Sequence, residues 1–127
     1  MDIERLTDDT PWTAAFGYCR ALRVGDRILV SGTTASDERG RPTAPDAESQ
    51  TRAILQRICA AVEALAPGAV VVRTRVYLTH GNEWRGAGVA HREVFGDAPP
   101  VNTTVEVGGL VGEGLLVEVE AEAVVLS

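Results

Sequence analysis

The chain has 127 residues, 45% of them hydrophobic and 24% charged, which predicts one globular domain over residues 1–127 and excludes a largely disordered chain. Its net charge of −6 argues against a nucleic-acid partner, because DNA and RNA binding relies on a basic surface. All 12 cationic residues are arginines, so catalysis by a lysine amine is excluded.

The first half of the chain predicts a β-hairpin followed by a long helix. Residues 18–23 and 27–32 are rich in β-forming residues, and the Gly-Asp pair between them is typical of a hairpin turn. Proline and glycine predict a loop over residues 36–45. Asp46 is suited to cap a helix over residues 46–65, in which apolar residues recur at helical spacing.

The second half predicts three more strands and one more helix. The strands cover residues 69–79, 101–107 and 115–125, and the helix covers residues 82–95. Two helices cannot cover both faces of a sheet of this size, so both are expected on one face. The predicted fold class is therefore α+β, with the other face of the sheet left open.

Alternation along the strands predicts the face on which each side chain lies, because successive side chains point to opposite sides. Apolar sets are expected under the helices: Val72, Thr74, Val76 and Leu78, then Val101, Thr103, Val105 and Val107, then Val117, Val119, Ala121 and Ala123. Polar sets are expected on the open face: Arg73, Arg75, Tyr77 and Thr79, then Asn102, Thr104 and Glu106, then Glu118, Glu120 and Glu122. Two interpretations stay open, a solvated face with cross-strand ion pairs or a face that closes against other subunits beside ligand clefts.

Six strings occur along the chain in an informative order. They are FGYCRALRVGDRILVSG (16–32), QTR (50–52), VVRTRVYLT (71–79), HREVFG (91–96), PPVNTTVEVGGL (99–110) and LLVEVEAEAV (115–124). In this order and spacing they resemble the RidA family, also called YjgF or L-PSP, over about residues 11–125.

The resemblance implies a chorismate-mutase-like fold with two helices on one face of the sheet. It also implies a homotrimer in which the sheets form a central barrel and small molecules bind in clefts between subunits. Family members with the full site hydrolyse reactive enamines and imines, such as 2-aminoacrylate, to keto acids and ammonia. In such a site an arginine holds the substrate carboxylate and a glutamate of the last strand positions or activates water, and no cofactor is implied.

Four residues match the implied site. Glu118 matches the glutamate, and a carboxylate near the imine carbon could accept a proton from water as a general base. Tyr18 matches the cleft tyrosine, and Ser31 and Gly32 match a Ser-Gly pair at which a ligand can approach the backbone. Each match also has a purely structural interpretation. Glu118 could form an ion pair, Tyr18 could be a half-buried aromatic residue of a strand, and Gly32 could meet the need for a special φ at the end of a strand.

Asn102 occupies the position of the implied arginine. The family pattern Pro-x-Arg-x-x-Val-Glu-Val reads Pro-Val-Asn-Thr-Thr-Val-Glu-Val from Pro100 onward. Asparagine carries no charge, whereas arginine grips a carboxylate with a charged bidentate fork, so a carboxylate ligand should lose roughly 1.5–3 kcal/mol. Thr104 stands in the position of a cleft cysteine and Gly88 in that of a cleft asparagine, which predicts altered anion-binding chemistry.

Two arginines are candidates to supply the missing positive charge. Arg20 has the same parity as the cleft tyrosine, and Arg75 lies on the predicted open face, so either could reach the cleft. Pairing of these arginines with Glu118 or Glu120 is the favoured alternative. His91 could carry a proton near neutral pH, but a lone histidine on a helix is more often structural.

Two functions from different classes follow. The first is an imine or enamine hydrolase of altered substrate range, using Glu118 and an asparagine-lined pocket. The second is a trimer that binds a small metabolite, or assists a biosynthetic pathway, without hydrolysis. Ribonuclease activity, attached to some relatives by name, is disfavoured by the acidic composition. The chain shows no membrane span, secretory signal or metal-binding cysteine spacing, so no membrane partner, no metal and a cytoplasmic location are expected.

Overall fold

The computed structural model describes residues 2–127, which form a six-stranded sheet with two long helices on one face. The strands are β1 (Ile3–Leu6), β2 (Ala21–Val24), β3 (Arg27–Thr33), β4 (Val70–Leu78), β5 (Val101–Glu106) and β6 (Val117–Val124). The helices are α1 (Pro11–Phe16), α2 (Ala47–Leu65) and α3 (Trp84–Phe95), the last preceded by a 3-10 turn, Gly81–Glu83. The strand order is β1-β2-β3-β6-β4-β5, in which only β4 and β5 are parallel among the neighbouring pairs.

The α+β class, the hairpin, both long helices and the last three strands are confirmed, with bounds shifted by a few residues. Two further elements, β1 and α1, are not predicted from the sequence. Strand β1 has four residues and helix α1 has six, which is too short for hydrophobic periodicity to register. Helix α1 begins at Pro11, a residue suited to the first helical position because its missing N–H has no partner there.

Helix α2 packs an apolar stripe against the sheet. Its N-terminus forms a capping box in which Asp46 accepts a hydrogen bond from the N–H of Ser49 at 2.8 Å, an arrangement worth about 1 kcal/mol. Ile54, Leu55 and Ile58 are fully buried, and each such side chain contributes about 1.5–3 kcal/mol. No helix within residues 2–127 combines the length and apolarity needed to cross a membrane.

Strand β6 lies inside the sheet, between β3 and β4, and shows the predicted alternation. Val117, Val119, Ala121 and Ala123 are buried on the face covered by α2 and α3. Glu118, Glu120 and Glu122 are half-buried on the opposite face, which we call the open face. The core therefore lies between the sheet and the two long helices.

Strand β5 is oriented the other way round from the prediction. Its register pairs Asn102 with Thr74 and Thr104 with Val76, and paired residues on neighbouring strands share a face. Thr74 and Val76 are buried beneath the helices. Asn102, Thr104 and Glu106 therefore lie on the covered face, and the expectation that they lie on the open face is wrong.

The valines of β5 lie on the open face instead. Val101 is 59% exposed and Val105 is 42% exposed. Val72 is also exposed, because a register shift between Val71 and Arg73 breaks the alternation of β4. The expectation that these valines lie under the helices is wrong, as it is for Thr103, which pairs with Arg75 of the open face. Strand β5 is an edge strand paired with β4 alone. Its hydrogen-bond register with β4, and not the hydropathy of its own residues, therefore decides which of its side chains face the helices.

Candidate functional site

Two pockets hold most of the residues predicted for the site. The first, which we call the Glu118 pocket, has a volume of about 370 Å³. It is lined by Trp12, Phe16, Tyr18, Arg20, Ser31, Gly32, Thr34, Ser36, Val111 and Glu118. The second, which we call the Asn102 pocket, lies between β5 and α3 and has a volume of about 500 Å³. It is lined by Val76, Leu78, Gly81, Trp84, Ala87, Gly88, His91, Asn102, Thr104, Val105 and Glu106.

Glu118 extends from β6 toward the end of β3, where it meets Gly32. A Cβ atom at Gly32 would lie 2.8 Å from Oε2 of Glu118, so this position needs a glycine for close approach. Gly32 has no positive φ, so the special-φ interpretation is wrong. Burial raises the pKa of the Glu118 carboxyl, the charge of Arg20 opposes that shift, and the charge of Glu120 adds to it. Among residues 2–127, no donor forms a hydrogen bond with this carboxylate, which leaves its oxygens for water or a ligand.

Arg20 is buried at the wall of the Glu118 pocket and pairs with Asp8. Its Nε donates to Oδ2 of Asp8 at 2.7 Å, and its Nη1 donates to the carbonyl of Gly32 at 2.6 Å. Burial raises the pKa of Asp8, but the hydrogen bond and charge of Arg20 together with the hydrogen bonds from Thr10 outweigh it, so the pKa is lowered overall. The sequence had favoured pairing of Arg20 with a glutamate of β6. The structure shows instead that its partner is Asp8.

Arg57 of α2 joins the same cluster. Its guanidinium lies 3.2 Å from Oδ2 of Asp8, and another of its nitrogens donates to the carbonyl of Thr34. Burial lowers the pKa of Arg57, and the charge of Arg20 acts in the same direction. Sequence reasoning missed both Asp8 and Arg57, because residues so far apart in the chain leave no local signal of their contact.

Aromatic side chains form the rim of the Glu118 pocket. Tyr18 contacts Phe16 edge to face, with ring centroids 6.3 Å apart, and the guanidinium of Arg20 lies 5.8 Å from the Tyr18 centroid. Ser31 donates its hydroxyl hydrogen to a main-chain carbonyl at 2.8 Å. Trp12 and Phe16 were missed as lining residues, although their four-residue spacing would have placed them on one side of a helix.

Asn102 is held by hydrogen bonds on both sides of its amide. Nδ2 donates to Oγ1 of Thr74 at 3.0 Å, and Oδ1 accepts from the hydroxyl of Thr104 at 2.9 Å. Oγ1 of Thr74 lies 2.8 Å from Nε2 of His91 on α3. Burial lowers the pKa of His91, so its ring is neutral at pH 7. These four residues form a continuous hydrogen-bonded chain across β5, β4 and α3.

Arg75 lines neither pocket. It pairs with Glu120 at 3.4 Å and with Glu122 at 3.7 Å, and Tyr77 donates its hydroxyl to Glu120. These residues form the cross-strand ion-pair cluster that was the favoured alternative for Arg75. Within residues 2–127, no three histidine, cysteine, aspartate or glutamate side chains converge on a point that could hold a metal ion.

The sheet separates the two predicted halves of the site within one chain. Glu118 is in register with Tyr77 on the open face, whereas Asn102 is in register with Thr74 on the covered face. Tyr18, Arg20, Ser31 and Gly32 accompany Glu118. One chain therefore assembles the residues of each half of the site, but it does not bring the two halves next to each other.

Comparison with known proteins identifies the family. The family model described as Endoribonuclease L-PSP matches residues 8–125. The chain belongs to this family. The resemblance to the RidA, YjgF or L-PSP family over most of the chain is thereby confirmed, and membership supports a role in small-molecule binding or deaminase-like chemistry.

Individual relatives extend over nearly the whole chain. An uncharacterised protein of Streptomyces coelicolor is 37% identical over 125 residues, covering 95% of this chain and 91% of the relative. A RutC family protein of Pyrococcus abyssi is 34% identical over 108 residues, covering 84% of each. The crystal structure of a YjgF family member from Mycobacterium tuberculosis is similar with a TM-score of 0.86 and 38% identity, covering 98% of this chain and 100% of that chain. The YjgF gene product of E. coli, 24% identical with a TM-score of 0.79, covering 95% of this chain and 98% of that chain, supports the fold alone.

Proposed function

We propose that this protein hydrolyses imines or enamines to a carbonyl compound and ammonia, with Glu118 as general base. The observation that carries the proposal is the state of the Glu118 carboxylate, which lines a pocket, has a raised pKa and accepts no hydrogen bond from residues 2–127. A carboxylate with a raised pKa and free lone pairs is a better proton acceptor than an ordinary one. Family membership supports the same class of chemistry.

In the proposed reaction, Glu118 takes a proton from water while the water oxygen bonds to the carbon of the protonated imine. The C=N double bond becomes a single bond, which leaves a carbinolamine. Glu118 then returns its proton to the nitrogen, the C–N bond breaks, and the hydroxyl oxygen forms the C=O bond as its proton leaves with ammonia. One protonated imine and one water therefore give one carbonyl compound and one ammonium ion.

The complete cleft would form between copies of a homotrimer. Because Glu118 and Asn102 lie on opposite faces of one sheet, a small ligand can contact both only if a second copy supplies one of them. Val101 and Val105 add exposed apolar surface to the open face, which a second copy could cover. Sedimentation velocity is expected to give three copies for the wild type and monomers for Val101→Asp, and a monomeric wild type would overturn the assembly.

Ammonia release tests the reaction. 2-Aminoacrylate, several neutral or bulky imines, and imines that carry a second amino or guanidinium group are generated in situ by a lyase or oxidase, and the rate is compared with a blank without protein. Wild type is expected to accelerate at least one imine, and Glu118→Gln to lose about 10²–10⁴-fold in rate. Glu4→Gln makes the same change on the exposed edge strand β1, outside both pockets, and should keep the wild-type rate.

A wild-type rate equal to the blank for every imine overturns hydrolysis. The alternative, a trimer that binds a small metabolite without hydrolysing it, then predicts saturable binding in the cleft and no imine hydrolysis for Glu118→Gln to reduce. The two functions are thus separated by one pair of measurements on the same two proteins.

A further inference from the structure

The hydrogen-bonded chain of the Asn102 pocket runs in one direction. Thr74 is fully buried, so its hydroxyl hydrogen needs an acceptor, and Nε2 of His91 lies 2.8 Å away. Once that hydrogen is donated, Oγ1 of Thr74 offers only lone pairs to Asn102. The amide of Asn102 therefore turns its NH₂ group toward Thr74, in agreement with the 3.0 Å contact of Nδ2.

This orientation leaves Asn102 without a hydrogen for a ligand. Nδ2 also donates to the main-chain carbonyl of Thr74, at 3.5 Å, and the opposite orientation would bring Oδ1 against that carbonyl oxygen. Oδ1 accepts the hydroxyl hydrogen of Thr104, so Thr104 has no hydrogen left to donate either. Both side chains keep only oxygen lone pairs for a ligand.

The remaining polar wall adds another acceptor and no positive charge. Oε1 of Glu106 accepts from the N–H of Gly81 at 2.6 Å, which holds this carboxylate at the pocket. Within the described chain, the lining residues include no arginine. The guanidinium of Arg85 lies over the Trp84 ring, 4.6 Å from its centroid, and is not part of the wall. The side chains of Asn102, Thr104 and Glu106 therefore present hydrogen-bond acceptors, one of them a carboxylate, above an apolar floor. The ring donors in the lining are uncharged, namely the indole N–H of Trp84 and the Nδ1–H of neutral His91.

We propose that the Asn102 pocket recognises a cationic group that carries N–H donors, such as an alkylammonium or alkylguanidinium, and rejects carboxylates. His91 and Thr74 are positioning residues, because they decide which atoms of Asn102 a ligand meets. The inference rests on the proposed function in one respect, that this pocket is half of the substrate cleft. The substrate class is then imines that carry a second, basic group rather than the imines of simple amino acids.

Binding of three probes with similar alkyl chains and different head groups tests the inference. The probes are n-butylammonium, n-butylguanidinium and butyrate, each titrated into the full-length wild type and followed by ¹H–¹⁵N NMR. Both cations are expected to bind saturably, to shift the side-chain amide signals of Asn102, and to bind about tenfold tighter than butyrate. Butyrate binding as tightly as the cations, or no saturable shift with either cation, overturns the inference.

Variants test the positioning residues separately from the pocket itself. Thr74→Val removes the hydroxyl at nearly constant volume, which frees the Asn102 amide to turn, and should reduce the preference for cations over butyrate by about threefold or more. Thr103→Val makes the same change one residue from Asn102 on the opposite side of β5, and should leave the preference unchanged. If Thr74→Val does not fold, His91→Phe provides the second variant, because it removes the nitrogen that accepts the Thr74 hydrogen and so frees that hydrogen to turn toward Asn102.

An unchanged preference in the folded variants overturns the positioning role. Asn102→Arg, which introduces a charged donor, should reverse the preference toward butyrate. Because the readout is binding rather than turnover, the two proposals can fail separately. A wild type that prefers cations but hydrolyses no imine overturns only the proposed function, and a hydrolase without the preference overturns only this inference.

Discussion

The polar groups of the two pockets are held in place by different interactions, ion pairs at one pocket and neutral hydrogen bonds at the other. At the Glu118 pocket, the charge of Arg20 is balanced by Asp8, which lies between Arg20 at 2.7 Å and Arg57 at 3.2 Å, whereas the Glu118 carboxylate accepts no hydrogen bond from residues 2–127. In the Asn102 pocket, neutral groups are ordered by the direction of their hydrogen bonds, from Asn102 through Thr74 to His91. The strength of an ion pair depends on burial and pH, whereas a series of neutral hydrogen bonds is stable only if every hydrogen has an acceptor. The first pocket should therefore respond to charge removal and pH, and the second to the loss of one hydroxyl.

After the loss of Glu118 itself, the largest expected effect comes from Gly32→Ala, which disturbs the Glu118 pocket alone. The added Cβ would lie 2.8 Å from Oε2 and 3.0 Å from Cδ of Glu118, so the carboxylate must move. Displacing a catalytic group by about 1 Å costs on the order of 10²-fold, and imine hydrolysis should fall by that factor in ammonia-release kinetics. Gly32→Ala should also lower the melting temperature because of this contact, and adding Glu118→Asp, whose side chain is shorter, should recover part of that decrease. A wild-type rate for Gly32→Ala would contradict the role of Glu118.

Asp8→Asn should have the next largest effect, on stability. It leaves Arg20 and Arg57 close together without their shared anion, which should lower the free energy of unfolding by about 2–3 kcal/mol at pH 7. Because the folded pKa of Asp8 is lowered, its ionised form stabilises wild type above the unfolded value, and this contribution is lost as pH falls through the folded pKa. Urea unfolding should separate the proteins at pH 7 and bring them together in strong acid.

Asp9→Asn is the matched control for that comparison. Asp9 is the exposed neighbour of Asp8, so its loss should change the free energy of unfolding by less than about 0.5 kcal/mol. Equal stability of Asp8→Asn and wild type at pH 7 would show that the two arginines do not need their anion.

The stability of Glu118→Gln relative to wild type should increase as pH rises. The folded pKa of Glu118 is raised above its ordinary value of 4.5, so the folded state binds the proton more tightly than the unfolded chain does. Ionisation of Glu118 therefore opposes folding as pH rises from the ordinary value through the folded one. Urea unfolding should find the variant and wild type similar at pH 4 and the variant more stable at pH 8. A constant difference across this range would rule out the raised pKa.

The smallest expected effect is in the Asn102 pocket, with Gly88→Ala. No heavy atom beyond its immediate neighbours lies within 4 Å of the position that a Cβ would occupy, in contrast to Gly32. Gly88 lies inside α3, where alanine is favoured over glycine by about 1 kcal/mol, so the free energy of unfolding should rise by about 0.5–1 kcal/mol. Thermal unfolding of both glycine variants measures the contrast. A loss of stability in Gly88→Ala would mean that the wall of this pocket is closely packed.

Much of the Glu118 pocket could be predicted because its residues lie in strings with strong local and family signals. Glu118, Tyr18, Ser31 and Gly32 were named from those strings, and they do line one pocket. The partner of Arg20 could not be predicted, because Asp8 belongs to an N-terminal segment with no recognisable periodicity. The contact is decided by the tertiary structure, which brings Asp8 against both Arg20 and Arg57 of α2.

The sequence by itself determined the elements whose signals are local: the capped apolar stripe of α2, the alternation of β6, and the turns between them. Only the tertiary structure decided which way β5 faces, and with it the side of the sheet on which Asn102 lies. The physical reason is that an edge strand takes its orientation from hydrogen-bond register with its neighbour. A shift of one residue in that register would move every side chain of β5 to the other face, and no pattern within the strand itself specifies the register.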